Sequence, residues 1–472
     1  MRVSSYFIAM VTQFICVTMA FSQDSRDTPV ADQFSKAQAA DGLYISWREH
    51  SIDDTALAGT SISGSDGLVM ADLDGDGYED IVSVHESDTT YDGVADGHVR
   101  VAYGSADPDV WVLRTLAEGE EAGAAEDAAI GDIDGDGFLD IIVACELSHL
   151  LYLQNPGENI RDGHWKRVIP SISKNRGSFI RVFLADFDGD DRLEAVSPNK
   201  GAQNPSGKAV KKPISIFQFG DNPLDEDGWS EVALGQYLVP QNSEPVDLDG
   251  DGDLDIVCGI RGENRILWFE NLEDGTLKFE EHAIKIEGGA TGGFNMAYAD
   301  LNGDDRLDIV VQKGAALDVS LGWIEHPQSY EDAWKFHAIG SMDPDRIVGI
   351  ATADIDGDGD LDVLSGSYSS GSRSEDSDIG VDEPLGRIAW FANPGDAGKT
   401  WTRHDISRRK RGMFDKFIAR DLDGDGDIDF VGTRGNSDPY DGVFWLEQVR
   451  TNTPTPVFRP AREHDSEEVP LP

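Results

Sequence analysis

Apolar residues recur along this chain in short alternating runs separated by Gly, Asp, Asn and Pro, the pattern of strands joined by tight turns. The runs come in sets of four. A first run ends on an acid, as in Val69-Met70-Ala71-Asp72, Phe183-Leu184-Ala185-Asp186 and Ala351-Thr352-Ala353-Asp354. A second begins just beyond an acidic loop, as in Asp80-Ile81-Val82, Asp308-Ile309-Val310 and Asp362-Val363-Leu364. A third has the form apolar-x-apolar, at Val99/Val101, Leu150/Tyr152, Ile214/Ile216, Ile266/Trp268, Leu321/Trp323, Ile388/Trp390 and Val443/Trp445. A fourth carries an aromatic, then a polar or aliphatic residue three positions on, at Trp47/His50/Ile52, Trp111/Arg114/Leu116, Trp165/Val168, Trp229/Val232, Phe279/His282/Ile284, Trp334/His337/Ile339 and Trp401/His404/Ile406.

Four strands in seven copies predict an all-β fold, a seven-bladed β-propeller of four-stranded blades. The set at Trp47–Ile52 is a fourth strand with no preceding three, and Val443–Val449 is a third strand with no successor. The ring is therefore expected to close by an N-terminal strand that completes the last blade, which leaves no free sheet edge. All ten tryptophans, and His50, His282, His337 and His404, fall at these repeat positions, which assigns them to the blade cores.

Between the first and second strands lies a loop with acids at positions one, three, five and nine, Gly at four and usually Gly at six. Its copies begin at Asp72, Asp132, Asp186, Asp247, Asp300, Asp354 and Asp421. Alternate carboxylates around a tight glycine turn make a hard, all-oxygen cage that suits Ca²⁺ better than Mg²⁺. The predicted ligands are Asp72, Asp74, Asp76 and Asp80; Asp132, Asp134, Asp136 and Asp140; Asp186, Asp188, Asp190 and Glu194; Asp247, Asp249, Asp251 and Asp255; Asp300, Asn302, Asp304 and Asp308; Asp354, Asp356, Asp358 and Asp362; and Asp421, Asp423, Asp425 and Asp429. Up to seven structural Ca²⁺ are expected. Asp191 and Asp305 replace the position-six Gly, and Asn302 replaces a carboxylate, so weaker sites are expected in blades 3 and 5.

Asp-x-Asp-Gly-Asp-Gly-x-x-Asp between two strands resembles the FG-GAP/VCBS repeats of integrin-alpha-type propellers. The resemblance spans residues 41–450 and implies structural Ca²⁺ on the face opposite the usual ligand face. The stretch Ile214–Trp229 is similar to the propeller part of aldos-2-ulose dehydratases.

The chain has 472 residues with 39 Lys+Arg against 89 Asp+Glu, a formal charge of -50 that excludes a general nucleic-acid binder. Residues 1–22, with Arg2 ahead of an apolar stretch and small residues at Ala20 and Ser22, read as a signal peptide. Residues 23–40 read as a linker and the Pro- and Glu-rich 451–472 as a flexible tail. No mature segment has the ~20 apolar residues of a membrane span. A secreted monomer, periplasmic or extracellular, is expected. Cys145 and Cys258 sit in apolar runs and read as buried strand residues.

Chain direction puts the loops between strands two and three, and the links between blades, on the face away from the acidic loops. The long insertions 85–98, 198–213, 368–386 and 434–442 fall there. So do Lys174, Arg176, Arg181, Lys200, Lys208, Lys211, Lys212, Arg408, Arg409, Lys410, Arg411 and Lys416, which predict a basic patch. Phe179, Tyr237, Phe294, Tyr368, Phe414 and Tyr440 are the aromatics left for stacking on a sugar. Arg176, Arg181, Asn242, Glu244, Asn295, Arg346 and Lys416, near first-strand entries, are the candidate ligand residues, with His85, His98 and His149 farther out. These features suit a calcium-binding module for a glycan, including an anionic polysaccharide, or for an extracellular protein. The alternative is a carbon-oxygen lyase or dehydratase acting on sugars in the central funnel; no triad, paired carboxylates or zinc spacing marks its catalytic residues.

Overall fold

The computed structural model describes residues 27–87, 93–205, 209–272, 275–312, 320–330, 332–396, 399–462 and 465–472. The signal-peptide segment and Lys208 lie outside them. Six sheets of four antiparallel strands and one of five make up seven blades, each built from consecutive strands except the last. In every blade the acidic loop closes the first hairpin in one register: Ala71 pairs with Asp80, Gly131 with Asp140, Ala185 with Glu194, Val246 with Asp255, Ala299 with Asp308, Ala353 with Asp362 and Arg420 with Asp429. The first strands of all seven blades surround a central cavity. Among the described residues, no helix is long and apolar enough to cross a membrane.

The core is seven wedges, each shared by adjacent blades. One joins Val82, Val101 and Tyr103 of blade 1 to Ile141, Val143 and Cys145 of blade 2, and the last joins Trp445 of blade 7 to Leu68 and Ile81 of blade 1. Nine tryptophans are buried and Trp111 is half-buried, as their repeat positions predict. The repeated histidines act within the blade. His50, His282, His337 and His404 each pair across strands with a tryptophan and stack on its ring, at centroid distances of 4.3, 4.9, 4.2 and 4.5 Å. In three of them Nε2 also meets a Glu two residues beyond that tryptophan, at 2.7 Å for Glu447 and 2.6 Å for Glu270 and Glu325. Cys145 and Cys258 are buried and free.

A side-chain amide stitches neighbouring blades where the pattern suggested only a turn. Asn155, at the end of a third strand, donates to Leu139 O of its own acidic loop and to Leu73 O of the preceding blade's loop. Asn271 bridges Leu254 O and Phe187 O, Asn393 bridges Leu361 O and Leu301 O, and Gln448 bridges Ile428 O and Ile355 O. Replacing Asn271 with Ala orphans two buried carbonyls, and a urea titration is expected to show a loss of about 2–3 kcal/mol. An unchanged midpoint would mean that the stitch contributes nothing.

The ring closes through Tyr44–Asp54, which pairs antiparallel with Gly442–Thr451 as the fourth strand of blade 7. Two expectations fail at this seam. The tail is packed rather than loose where it is described: Phe458–Arg459 adds a fifth strand parallel to Trp47 and Arg48, and Val457, Phe458 and Val469 are buried. The basic segment 408–411 forms no surface patch. Arg408 and Arg409 are fully buried, with Arg408 held by Asp345 at 2.7 and 2.9 Å, and Arg409 by Glu49 at 2.8 Å, Glu468 at 3.2 Å and Asp465 at 3.4 Å. Arg411 pairs with Asp376 at 2.9 Å. Guanidinium groups this deep need carboxylate partners, and for Arg409 two of the three come from the tail. The presumed linker is likewise packed, with Val30, Ala31, Ala37 and Ala39 buried against blades 6 and 7.

Candidate functional site

Each acidic loop is wound by its own carboxylates. In blade 1, Asp72 accepts from Gly75 N at 2.8 Å, Asp76 N at 3.1 Å and Gly77 N at 2.9 Å, while Asp74 accepts from Asp76 N and Asp76 from Tyr78 N. This winding requires a left-handed residue at position four, where Gly has φ of 72–78° in all seven loops. At position six, Asp191 and Asp305 adopt φ of 66° and 64°, so the left-handed conformation expected of them is present.

The position-nine acid is buried and serves as a clamp. Asp80 accepts from Leu73 N at 2.9 Å and Gly104 N at 2.8 Å, tying the loop to the end of the third strand, and Asp255, Asp308, Asp362 and Asp429 repeat the arrangement. Burial pushes these carboxyls up against the pull of the backbone donors: Asp80 to about 6, Asp140, Glu194, Asp308 and Asp429 to about 7, Asp255 and Asp362 to about 8.

The donor set fits a hard cation. One oxygen each from Asp72, Asp74 and Asp80 lies within 4.8 Å of the others, as do those of Asp132, Asp134 and Asp136, and of Asp186, Asp188 and Glu194. Asp132 Oδ1, Asp188 Oδ1 and Asn302 Oδ1 are buried without a hydrogen-bond partner among the described residues, which leaves ligand-type oxygens turned away from solvent with no donor. Loop 1 also has a competing cation, since Arg161 contacts Asp74 at 2.5 Å and Asp76 at 2.9 Å.

The sequence model of the FG-GAP-like repeat matches residues 72–143, 132–197 and 247–311, and the seven blades carry that loop in one register. The fold is a seven-bladed β-propeller, and three stretches of it carry FG-GAP-like repeats. No curated protein matches the sequence. Among solved structures, the X-ray structure of a protein provisionally assigned as a gluconolactonase is similar at 9% identity and a TM-score of 0.40, covering 89% of this chain and 98% of that one.

On the opposite face of this propeller, five of the seven candidate ligand residues converge. Arg181, Asn242, Glu244, Asn295 and Lys416 line the axial cavity of about 740 Å³ with Asp127 and Asp415. Arg181 Nη2 donates to Asn295 Oδ1 at 3.1 Å and Asp415 Oδ2 at 3.4 Å, and Asn295 Nδ2 donates to Asp415 Oδ1 at 2.6 Å and Val348 O at 2.8 Å. This knot joins blades 3, 5, 6 and 7. Arg346 lines a wider funnel of about 760 Å³, with Asp66, Glu126, Glu146, Lys200, Phe294 and Tyr368 among its other walls. Arg176 lies in neither cavity; it is paired with Glu231 at 2.5 Å.

Of the candidate aromatics, Phe179, Tyr237 and Phe414 are buried, Phe294 and Tyr368 line the funnel, and Tyr440 lies under Arg462. His85, His98 and His149 are buried on Ser65 and Ser83, on Ser87, and on Glu121 O, and line neither cavity. The pattern reading missed Asp66, Glu86, Glu126, Asp127 and Asp415. A signal existed for three of them: Asp66, Glu126 and Asp415 stand six residues before their loops, where the other blades carry Ile180, Gln241, Phe294 and Val348.

Proposed function

We propose that this protein is an exported, calcium-stabilised binding propeller that holds a glycan in the funnel opposite its acidic loops. The reading rests on one observation: the funnel walls change in residue type from blade to blade, as in Asp66, Glu126, Ile180, Gln241, Phe294, Val348 and Asp415 at one repeat position, whereas the acidic loops, tryptophans and histidines keep theirs. A repeated residue serves the blade; a unique one facing a cavity is free to serve a ligand.

The chemistry of the walls suits sugar. Phe294 and Tyr368 offer apolar ring faces, Gln203, Asn204 and Gln241 offer amides, and Arg346 sits 6.0 Å from the Tyr368 ring with its Nη1 3.3 Å from the Tyr368 hydroxyl. An exposed guanidinium beside an aromatic ring matches a uronate or sulfate on a sugar ring. The apolar segment at 1–22 supports export, and the all-oxygen loops support Ca²⁺.

A glycan array on the calcium-loaded protein, followed by calorimetry on the strongest hits, tests the reading. Arg346→Ala and Tyr368→Ala are each expected to weaken binding by tenfold or more, with the melting temperature unchanged because both side chains stand at the cavity rather than in a wedge. Full binding in both variants would overturn the funnel assignment, and turnover of a bound uronate polymer to an unsaturated product would replace it with the lyase reading.

A further inference from the structure

Three carboxylates that belong to no acidic loop meet at the seam of blades 1 and 2. Asp66 is in the first strand of blade 1 (Ser65–Ala71), Glu86 follows its second strand (Asp80–His85), and Glu126 is in the first strand of blade 2 (Ala125–Gly131). One carboxylate oxygen of each lies within 4.8 Å of the other two. The residues are 5%, 3% and 6% exposed. Three carboxylates this close and this deep repel one another strongly unless something positive stands among them.

Two nearby cations have closer partners elsewhere. Lys200 is paired with Glu146, and Arg181, whose Nη1 is 3.8 Å from Glu126, donates Nη2 to Asn295 and Asp415. Glu86 accepts a hydrogen bond from Gln203 Nε2 at 3.3 Å. Asp66 is different. Its Oδ1 is buried and has no hydrogen-bond partner among the described residues. An anionic oxygen in that position is costly without a cation, and it belongs to one of the three groups that converge.

We infer that Asp66, Glu86 and Glu126 bind a divalent cation, Ca²⁺ by preference, at the edge of the funnel and separately from the loop sites. The donors are oxygen only, which selects a hard ion, oxygens within 4.8 Å of one another can share one ion at about 2.3–2.6 Å, and three carboxylates suit Ca²⁺ better than Mg²⁺, which keeps more of its water. Asp66 and Glu126 both line the funnel, so the ion has protein on one side and the cavity on the other. Its remaining positions take water, or the vicinal hydroxyls or carboxylate of a ligand. That last step alone rests on the glycan reading; the ion site does not.

Crystals of the full chain grown in millimolar CaCl₂ and measured at long wavelength test the site. An anomalous peak is expected between Asp66, Glu86 and Glu126, and Asp66→Asn and Glu126→Gln should each remove that peak, two variants guarding against one that fails to fold. Peaks that persist in the acidic loops of a variant would show that its ring is intact. Absence of the seam peak in the native protein, or the Lys200 ammonium in its place, overturns the assignment. A seam peak in a protein that binds no glycan would leave the ion site standing and remove the glycan reading.

Discussion

Chelation of Ca²⁺ by EDTA is expected to lower the melting temperature of the full-length protein by about 20 °C. The estimate is additive. An ion held at a free concentration about 100-fold above its dissociation constant contributes about 2.7 kcal/mol per site, and about 1 °C follows per kcal/mol in a chain of this size. Seven loops have the acid pattern that would share in this effect. The physical cause is the packing of like charge: Asp72, Asp74 and Asp80 bring oxygens within 4.8 Å of one another, and the position-nine acids are sealed from water. Without an ion those groups repel or take up protons; with one they become its cage. Calorimetric scans with and without chelator decide the matter, and restoration by Ca²⁺ but not by Mg²⁺ is the expected selectivity. A melting temperature indifferent to EDTA would contradict the loop assignment altogether.

The second large effect is expected at Arg409. Its guanidinium is fully buried, bonded to Glu49, Asp465 and Glu468 and lying over Phe458 at 4.9 Å. Arg409→Met keeps the volume and removes the charge, leaving three buried carboxylates with Arg434 as their neighbour on Asp465 alone. The cost should be about 3–5 kcal/mol, the usual penalty for stripping one partner from a buried ion pair.

A pH dependence accompanies it. Burial works against ionisation of Asp465, but Arg434 and Arg409 outweigh it and hold that carboxyl well below its ordinary 3.8. A depressed folded value means that the stabilisation is complete above pH 3.8 and is lost as pH falls through the folded value. Native protein should therefore lose stability on acidification below about pH 4 through this group, and Arg409→Met should lose less over the same interval, since part of its stabilisation is already gone. Equal acid slopes in the two proteins, measured by urea unfolding, would show that the network does not hold the tail.

These two effects differ in how visible they were beforehand. The acidic loops are local objects. Asp72 bonds Gly75, Asp76 and Gly77, all within five residues, so their spacing along the chain is already their geometry. Strand alternation and the repeat of tryptophan and histidine are local in the same sense, because a period of two and a fixed cross-strand pair are set by the pleat. The Arg409 site is the reverse: Glu49 is 360 positions away, and nothing near residue 409 announces it. Read as a run, Arg408-Arg409-Lys410-Arg411 is an exposed basic patch; folded, most of it is a buried rivet for the tail.

The same division separates the two candidate sites. Acidic-loop residues are readable one by one, since each loop contains its own candidate ligands. The funnel is assembled from single residues of different blades, and Asp66, Glu126, Arg181, Asn295 and Asp415 come together only because seven first strands converge on one axis. Fold class, blade number, ring closure and the acidic loops were thus inherent in short-range spacing. Which charges face each other across the ring, which end up buried, and what the tail covers depended on closure, because those contacts join residues that no periodicity relates.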